Sequence, residues 1–215
     1  MKKRLLDIDY YFITDSGLTR RGILPDVEDA VRAGCRIIQY REKEKSAREM
    51  IAEAREIKRI CCEAILIIND RVDVALSVDA DGVHLGQKDM DARAARKLLG
   101  DKIIGVTVHN VKEAVDAEKK GADYLGVSPI FTTGTKTDAG EACGTGMIAK
   151  IRSKTSLPIV AIGGITKHNA LEVMAAGADS VAAISATVCS DDVKKEVKKF
   201  IEIIRAGKKP GITGE

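Results

Sequence analysis

Apolar residues in this chain come in short runs, and each run stops at a polar cluster. Ile37-Ile38 leads into Gln39, Arg41 and Lys43, Ile65 to Ile68 into Asn69-Asp70-Arg71, and Val83 with Leu85 into Gly86-Gln87 and Asp89. Ile103 to Val108 runs into His109, Tyr124 to Val127 into a long loop through Lys136, Ile159 to Ile162 into Gly163-Gly164, and Val181 to Ile184 into Ser185. Short length and β-branched content predict strands at Tyr10–Thr14, Arg36–Tyr40, Ile65–Asn69, Gly82–Leu85, Ile103–Thr107, Tyr124–Val127, Ile159–Ile162 and Val181–Ile184. Helical periods lie between them. In Ser46–Ile60, Ala47, Met50, Ile51, Ala54 and Ile57 fall on one face, and Ser46 with Glu49 forms a capping box. Asn110 with Glu113 repeats that start signal, and Gly34, Gly121 and Gly177 supply stops that tolerate the left-handed cap conformation. The helices after the third and fourth strands are the least marked.

Strand and helix alternating from end to end predict an α/β protein with a parallel sheet, either a closed barrel or an open doubly wound sheet. Even unit spacing favours the barrel. So does Thr14-Asp15-Ser16-Gly17 after the first strand, where a dinucleotide-binding fold would carry G-x-G-x-x-G. The expected architecture is a single-domain TIM (β/α)8 barrel over residues 1–207, compact beside the usual ~250 residues, with 208–215 as a disordered tail. In such a barrel all the carboxyl ends of the strands point one way, so residues far apart in sequence converge on one ligand.

Composition narrows the partners. The 35 basic and 32 acidic residues nearly balance, and aromatics make up 3%, which argues against a nucleic-acid surface of basic stripes and stacking platforms. No apolar run is long enough to span a bilayer, and Asp7 and Asp9 stand where a signal peptide needs apolar residues, so a cytoplasmic protein is expected. A homo-oligomer stays open. Five cysteines without paired spacing read as buried or incidental thiols rather than a disulfide framework or zinc site.

The polar clusters carry the candidate chemistry. Gly163-Gly164 and Ile184-Ser185 end the last two strands, where barrels bind phosphate through backbone N–H groups; the alternative is a tight turn that needs glycine for its φ angle. Gln39, Arg41 and Lys43 alternate along one face of an extended segment, which suits a polyanion such as diphosphate, although Glu42, Glu44 and Lys45 also fit a solvated loop. Asp70 and Asp89 are candidate ligands for a hard cation such as Mg²⁺, and each also reads as a helix N-cap. The glycine-rich loop from Pro129 to Gly146 offers Thr133, Gly134, Thr135 and Lys136 as anion donors in a lid, or is a surface loop. Thr107 and His109 close the fifth strand on alternate positions facing the mouth, Thr107 as a donor to phosphate and His109 as a proton donor or acceptor. His84 and His168 read as structural or exposed.

Taken together, Gln39-x-Arg41-x-Lys43, Asn69-Asp70, Asp81-Gly-Val-His-Leu-Gly-Gln-x-Asp89, Gly126-x-x-Pro-Ile-Phe-x-Thr-x-Thr-Lys136, Ala161-Ile-Gly-Gly-Ile165 and Ile184-Ser185 closely resemble the thiamine-phosphate synthase family. The resemblance starts at Tyr10-Phe-Ile-Thr-Asp15 and reaches the last strand. It implies a TIM barrel that joins hydroxymethylpyrimidine diphosphate to thiazole phosphate and releases diphosphate. It further implies that Gln39, Tyr40, Arg41, Glu42, Lys43, Asn69, Thr107 and Lys136 hold the pyrimidine substrate, with Arg41, Lys43, Thr107 and Lys136 catalytic. Asp70 and Asp89 would bind Mg²⁺, and Thr133, Gly134, Thr135, Gly164, Ile184 and Ser185 the thiazole phosphate. The family usually has Ser at Thr107, which keeps the hydroxyl, and Pro at Thr132, which changes loop stiffness. The thiazole tautomerase branch of the same superfamily is the near alternative, but it generally lacks the Asn-Asp and Gly-Gln-x-Asp motifs present here. A non-catalytic thiamine-precursor binder would not need a metal-plus-diphosphate arrangement, and another phosphate-binding barrel would explain only the last two turns.

Overall fold

The computed structural model describes residues 8–134 and 140–208. Strands and helices alternate as β1 (Tyr11–Ile13), α1 (Ile23–Arg32), β2 (Ile37–Tyr40), α2 (Ala47–Cys61), β3 (Ile65–Asn69), α3 (Val72–Ser77), β4 (Gly82–Leu85) and α4 (Ala92–Leu99). They continue as β5 (Ile103–Val108), α5 (Val111–Lys119), β6 (Tyr124–Val127), α6 (Thr145–Arg152), β7 (Ile159–Ile162), α7 (Ala170–Ala175), β8 (Ser180–Ala182), α8 (Ser185–Val188) and α9 (Val193–Gly207). Each strand pairs in parallel with the next in sequence order, and a Tyr10–Val181 bridge joins the first to the last. The result is the expected TIM-type α/β barrel.

Local signals account for most of the elements. Ser46 caps α2, accepting from the Glu49 N–H while the Glu49 carboxylate returns to Ser46, and Met50, Ala54, Ile57 and Cys61 bury the inner face. Asn110 caps α5 by accepting from the Glu113 N–H at 3.0 Å. At α4 the cap is Asp91, not Asp89, and at α3 the N-cap position is Arg71 with no side-chain cap. Neither Asp70 nor Asp89 is therefore committed to holding a helix end. β8 stops at Ala182, which places Ile184 at the start of the short helix α8 rather than inside the strand.

The end of the barrel where the strands begin is braced by a repeated device. Asp81, Asp123 and Asp179 precede β4, β6 and β8, and their carboxylates accept from the Leu66, Ile104 and Ile159 N–H groups at 2.8, 3.0 and 2.7 Å. Arg96 holds Asp123 at 2.6 Å, and Arg152 holds Asp179. These three carboxylates are thus spent on holding the starts of the strands.

Closure draws on both ends of the chain. Tyr10 donates to the Ala183 carbonyl at 3.0 Å and stacks on Phe200 of α9, centroids 5.1 Å apart. Arg205 and Lys208 both reach Asp9, and Lys208 also donates to the Ile8 carbonyl at 2.9 Å. Lys208, the first residue of the expected tail, thus packs on the barrel; 209–215 lie outside the described residues. All five cysteines are free, Cys35 and Cys61 buried and Cys62 exposed. Among the described residues no helix is long and apolar enough to cross a membrane.

Candidate active site

Two pockets adjoin at the end of the barrel where the strands finish. The larger, about 780 Å³, is lined by Arg41, Lys43, Asn69, Asp70, His84, Gln87, Asp89, Thr107, His109 and Ser128, among others. The smaller, about 370 Å³, is lined by Thr133, Gly163, Gly164, Ile184, Ser185 and again Ser128. Strands β2 to β5 supply the first pocket and β7 and β8 the second, with Ser128, just after β6, between them.

Cations and carboxylates share the larger pocket. Arg41 is fixed by the Asp15 carboxylate, which its guanidinium contacts, and by its backbone N–H donating to Thr14 Oγ1 at 2.9 Å. Its Nε is buried and has no hydrogen-bond partner among the described residues, an arrangement a bound anion oxygen would complete. Lys43 donates to Asp70 Oδ2 at 2.5 Å, and Asp70 sits at φ 61°, which turns the chain sharply out of β3. Asp89 curls back to accept from the Gly86 N–H at 2.7 Å. The two carboxyls interact. Burial raises Asp70, but Lys43, Asp89 and His84 together hold it below its ordinary value, whereas burial and the neighbouring Asp70 raise Asp89. Among the described residues no third His, Cys, Asp or Glu completes a metal cluster with them. A carboxylate pair of this kind suits a hard cation that takes its other ligands from substrate phosphate and water.

A profile of the thiamine monophosphate synthase family matches residues 10–187. The chain belongs to that family. It is 60% identical over 207 residues to the thiamine-phosphate synthase of Methanosarcina barkeri, covering 95% of this chain and 94% of that one. It is 49% identical over 203 residues to the thiamine-phosphate synthase of Chloroflexus aurantiacus, covering 93% and 94%. The solved structure of thiamine phosphate pyrophosphorylase from Pyrococcus furiosus superposes with a TM-score of 0.89 at 38% identity, covering 96% of this chain and all of that one. FabK of Thermotoga maritima, at 17% identity and TM-score 0.71, shares the fold.

Against the synthase family's pattern, the residues expected at the site divide into four groups. Arg41, Lys43, Asn69, Asp70, Asp89 and Thr107 come together in the larger pocket, and Thr133, Gly164, Ile184 and Ser185 in the smaller. Gly134 lies exposed just past Thr133, while Thr135 and Lys136 fall outside the described residues. Gln39, Tyr40 and Glu42 line neither pocket. Gln39 is buried in the barrel interior and donates to Tyr11 Oη at 3.0 Å. Tyr40 faces α2 and donates to Glu53 at 2.7 Å, because successive strand residues point to opposite faces. Glu42 is buried beneath the loop after β2, where it accepts from Ser16 Oγ at 3.0 Å and from the Lys43 and Glu44 N–H groups at 2.7 and 2.8 Å. It therefore shapes the loop that carries Arg41 and Lys43.

Four residues at or beside the pockets stand out among those that sequence did not single out. Asp15 orients Arg41, Gln87 donates to the Thr107 carbonyl at 2.6 Å, Ser128 borders both pockets, and His84 is structural rather than exposed, buried with its ring at the wall of the larger pocket. Asp15 and Gln87 stand inside the family motifs, which is the signal that marks them. The Ser128 carbonyl also takes a hydrogen bond at 2.5 Å from His109 Nδ1, which pins that ring at the pocket wall.

Proposed function

We propose that this family member condenses 4-amino-2-methyl-5-hydroxymethylpyrimidine diphosphate with thiazole phosphate, giving thiamine phosphate and diphosphate. The observation that carries the reading is the pair of adjoining pockets, one cationic with two carboxylates and one glycine-lined at the start of α8. Two anionic substrates fit side by side there, meeting near Ser128.

In this reading the diphosphate lies against Arg41, Lys43, Asn69 and Thr107, joined by Lys136. The pyrimidine methylene C–O bond breaks and its electron pair leaves with diphosphate. The amino-pyrimidine stabilises the methylene cation, and the thiazole nitrogen lone pair forms the new C–N bond. Asp70 and Asp89 would hold Mg²⁺, which when bound supplies positive charge to the diphosphate oxygens. Arg41 and Lys43 stabilise charge as it grows on the leaving group, and Arg41 is pre-set by Asp15, so its guanidinium needs little reorganisation during the reaction. Gly163, Gly164, Thr133, Gly134, Thr135, Ile184 and Ser185 form the thiazole phosphate cradle. No covalent nucleophile is required; holding two substrates together supplies the rest. Small phosphorylated partners, with neither nucleic acid nor membrane, and a cytoplasmic location follow from the same reading.

The test is to incubate the purified protein with both substrates and Mg²⁺ and to quantify thiamine phosphate and diphosphate. Equal amounts of the two support the reading. Isomerised thiazole without coupling would overturn it in favour of a tautomerase, and binding without turnover in favour of a precursor-binding protein.

A further inference from the structure

Five side chains form one hydrogen-bonded line across the barrel interior. Gln39 Nε2 donates to Tyr11 Oη at 3.0 Å, and the Tyr11 and Tyr124 hydroxyls lie 2.6 Å apart. Tyr124 Oη is 2.9 Å from His84 Nδ1, and His84 Nε2 is 2.8 Å from Thr107 Oγ1 at the wall of the larger pocket. Gln39, Tyr11, Tyr124 and His84 are all buried, none more than 3% exposed.

Proton counting gives this line a direction. An amide N–H only donates, each hydroxyl has one proton, and a neutral imidazole carries one proton on one nitrogen. Because Gln39 donates to Tyr11, the Tyr11 proton goes to Tyr124, and the Tyr124 proton goes to His84 Nδ1. Nε2 then carries the ring proton and donates to Thr107 Oγ1. The Thr107 proton is left to point into the pocket, since no other described residue accepts it. The reverse direction would need the Gln39 amide turned so that its oxygen faces Tyr11.

The backbone is shaped around these rings. A Cβ on Gly105 would come within 2.0 Å of Tyr124 Cζ, and one on Gly126 within 2.8 Å of His84 Cε1. Burial also raises both phenols above their ordinary pKa, so they keep the protons the line needs.

We propose that Tyr11, Tyr124 and His84 are positioning residues that hold Thr107 as a hydrogen-bond donor to an acceptor oxygen of the bound substrate, with Gln39 setting the direction. That this oxygen belongs to the diphosphate rests on the function proposed above; the direction of the line does not.

Two measurements separate these points. In protein labelled with ¹⁵N-histidine, long-range ¹H–¹⁵N correlations should show His84 with Nε2 protonated and Nδ1 bare, assigned by loss of the signals in His84→Gln. An Nδ1–H tautomer or a doubly protonated ring overturns the line. In the condensation assay, Thr107→Val should lower kcat by ~10²–10³-fold, the loss of one transition-state donor, and Thr107→Ser should restore it. Tyr124→Phe should lower kcat in the wild type yet change Thr107→Val by no more than about twofold, because residues in one network are not additive. Independent, multiplying losses would overturn the positioning role. If no thiamine phosphate forms while His84 shows the expected tautomer, the line stands and the substrate assignment falls.

Discussion

Lys43 Nζ donates to Asp70 Oδ2 at 2.5 Å, tying the loop after β2 to the end of β3. The lysine side chain is 50% exposed, so solvent screens the pair and its net strength is small. The contact holds Lys43 over the pocket and gives way readily to a stronger anion. Once a cation occupies the carboxylates, the same ammonium is available to diphosphate.

Asp70→Ala and Asp89→Ala should each raise the Mg²⁺ concentration needed for half-maximal rate and lower kcat by ~10²-fold or more, on the scale of lost transition-state charge stabilisation. Melting temperatures should fall only modestly: neither carboxylate caps a helix, but alanine is disfavoured at the φ of 61° held by Asp70, and Asp89→Ala leaves the Gly86 N–H without its acceptor. Initial rates against Mg²⁺ check this, and full activity of the double variant in excess chelator would remove both residues from the metal site.

Arg41→Ala should cost about 3–4 kcal/mol of barrier lowering, because it removes a guanidinium already oriented by Asp15 and with a buried Nε still to be paired. His109→Ala should retain most of the condensation rate, since ionisation needs charge stabilisation more than proton transfer. Rates at saturating substrates, with circular dichroism as the folding control, make the comparison. The opposite ranking would point to acid–base chemistry.

Gly164→Val should raise the KM for thiazole phosphate by about tenfold or more, with a smaller effect on the pyrimidine diphosphate. Gly164 has φ +63°, and a Cβ there would lie 2.7 Å from Phe131 Cβ and from the Thr132 carbonyl oxygen. The branched side chain therefore displaces the loop that leads to Thr133 as well as crowding the cradle. Equal changes for both substrates would count against separate phosphate sites.

Glu42 sets an acid limit on the loop after β2. Burial pushes its carboxyl up, but the Glu44 and Lys43 N–H groups, the Ser16 hydroxyl and Lys45 together hold it below the ordinary glutamate range. Its folded pKa is thus below its unfolded one, so its stabilisation is complete above the unfolded value and is lost as pH falls through the folded value. Glu42→Gln should cost about 1–3 kcal/mol at neutral pH and flatten the acid side of the stability profile. Urea melts from neutral pH into the acid range test this, and a loss in Glu42→Gln that is the same at every pH would argue against it.

What could be read from sequence was what local spacing determines. The strands, the capping box at Ser46 and Glu49 and the glycine turn after β7 depend on neighbours within a few residues, and all are present. Alternation along β2 separated Gln39 and Arg41 from Tyr40, and Tyr40 does turn outward to Glu53. Asp15 and His84 were harder, because their meaning comes from Arg41, Tyr124 and Thr107, which lie 23 to 40 residues away. The reading of Asp89 as a possible cap of α4 missed by two residues, because the cap is Asp91 and propensity does not fix where a helix begins.

The join between Tyr10 and Val181, with Tyr10 reaching Ala183 and Lys208 reaching Ile8, also bears on how the chain acquires its shape during synthesis. β1 emerges from the ribosome first, but its second neighbour, β8, and the clasping helix α9 are made last. Until then an open sheet exposes an unpaired edge on each side, a state prone to association with other chains. Such long-range closure places the final cooperative step after the last helix is released, so shortening the chain before Arg205 should trap an aggregation-prone nascent form rather than a slightly weakened barrel.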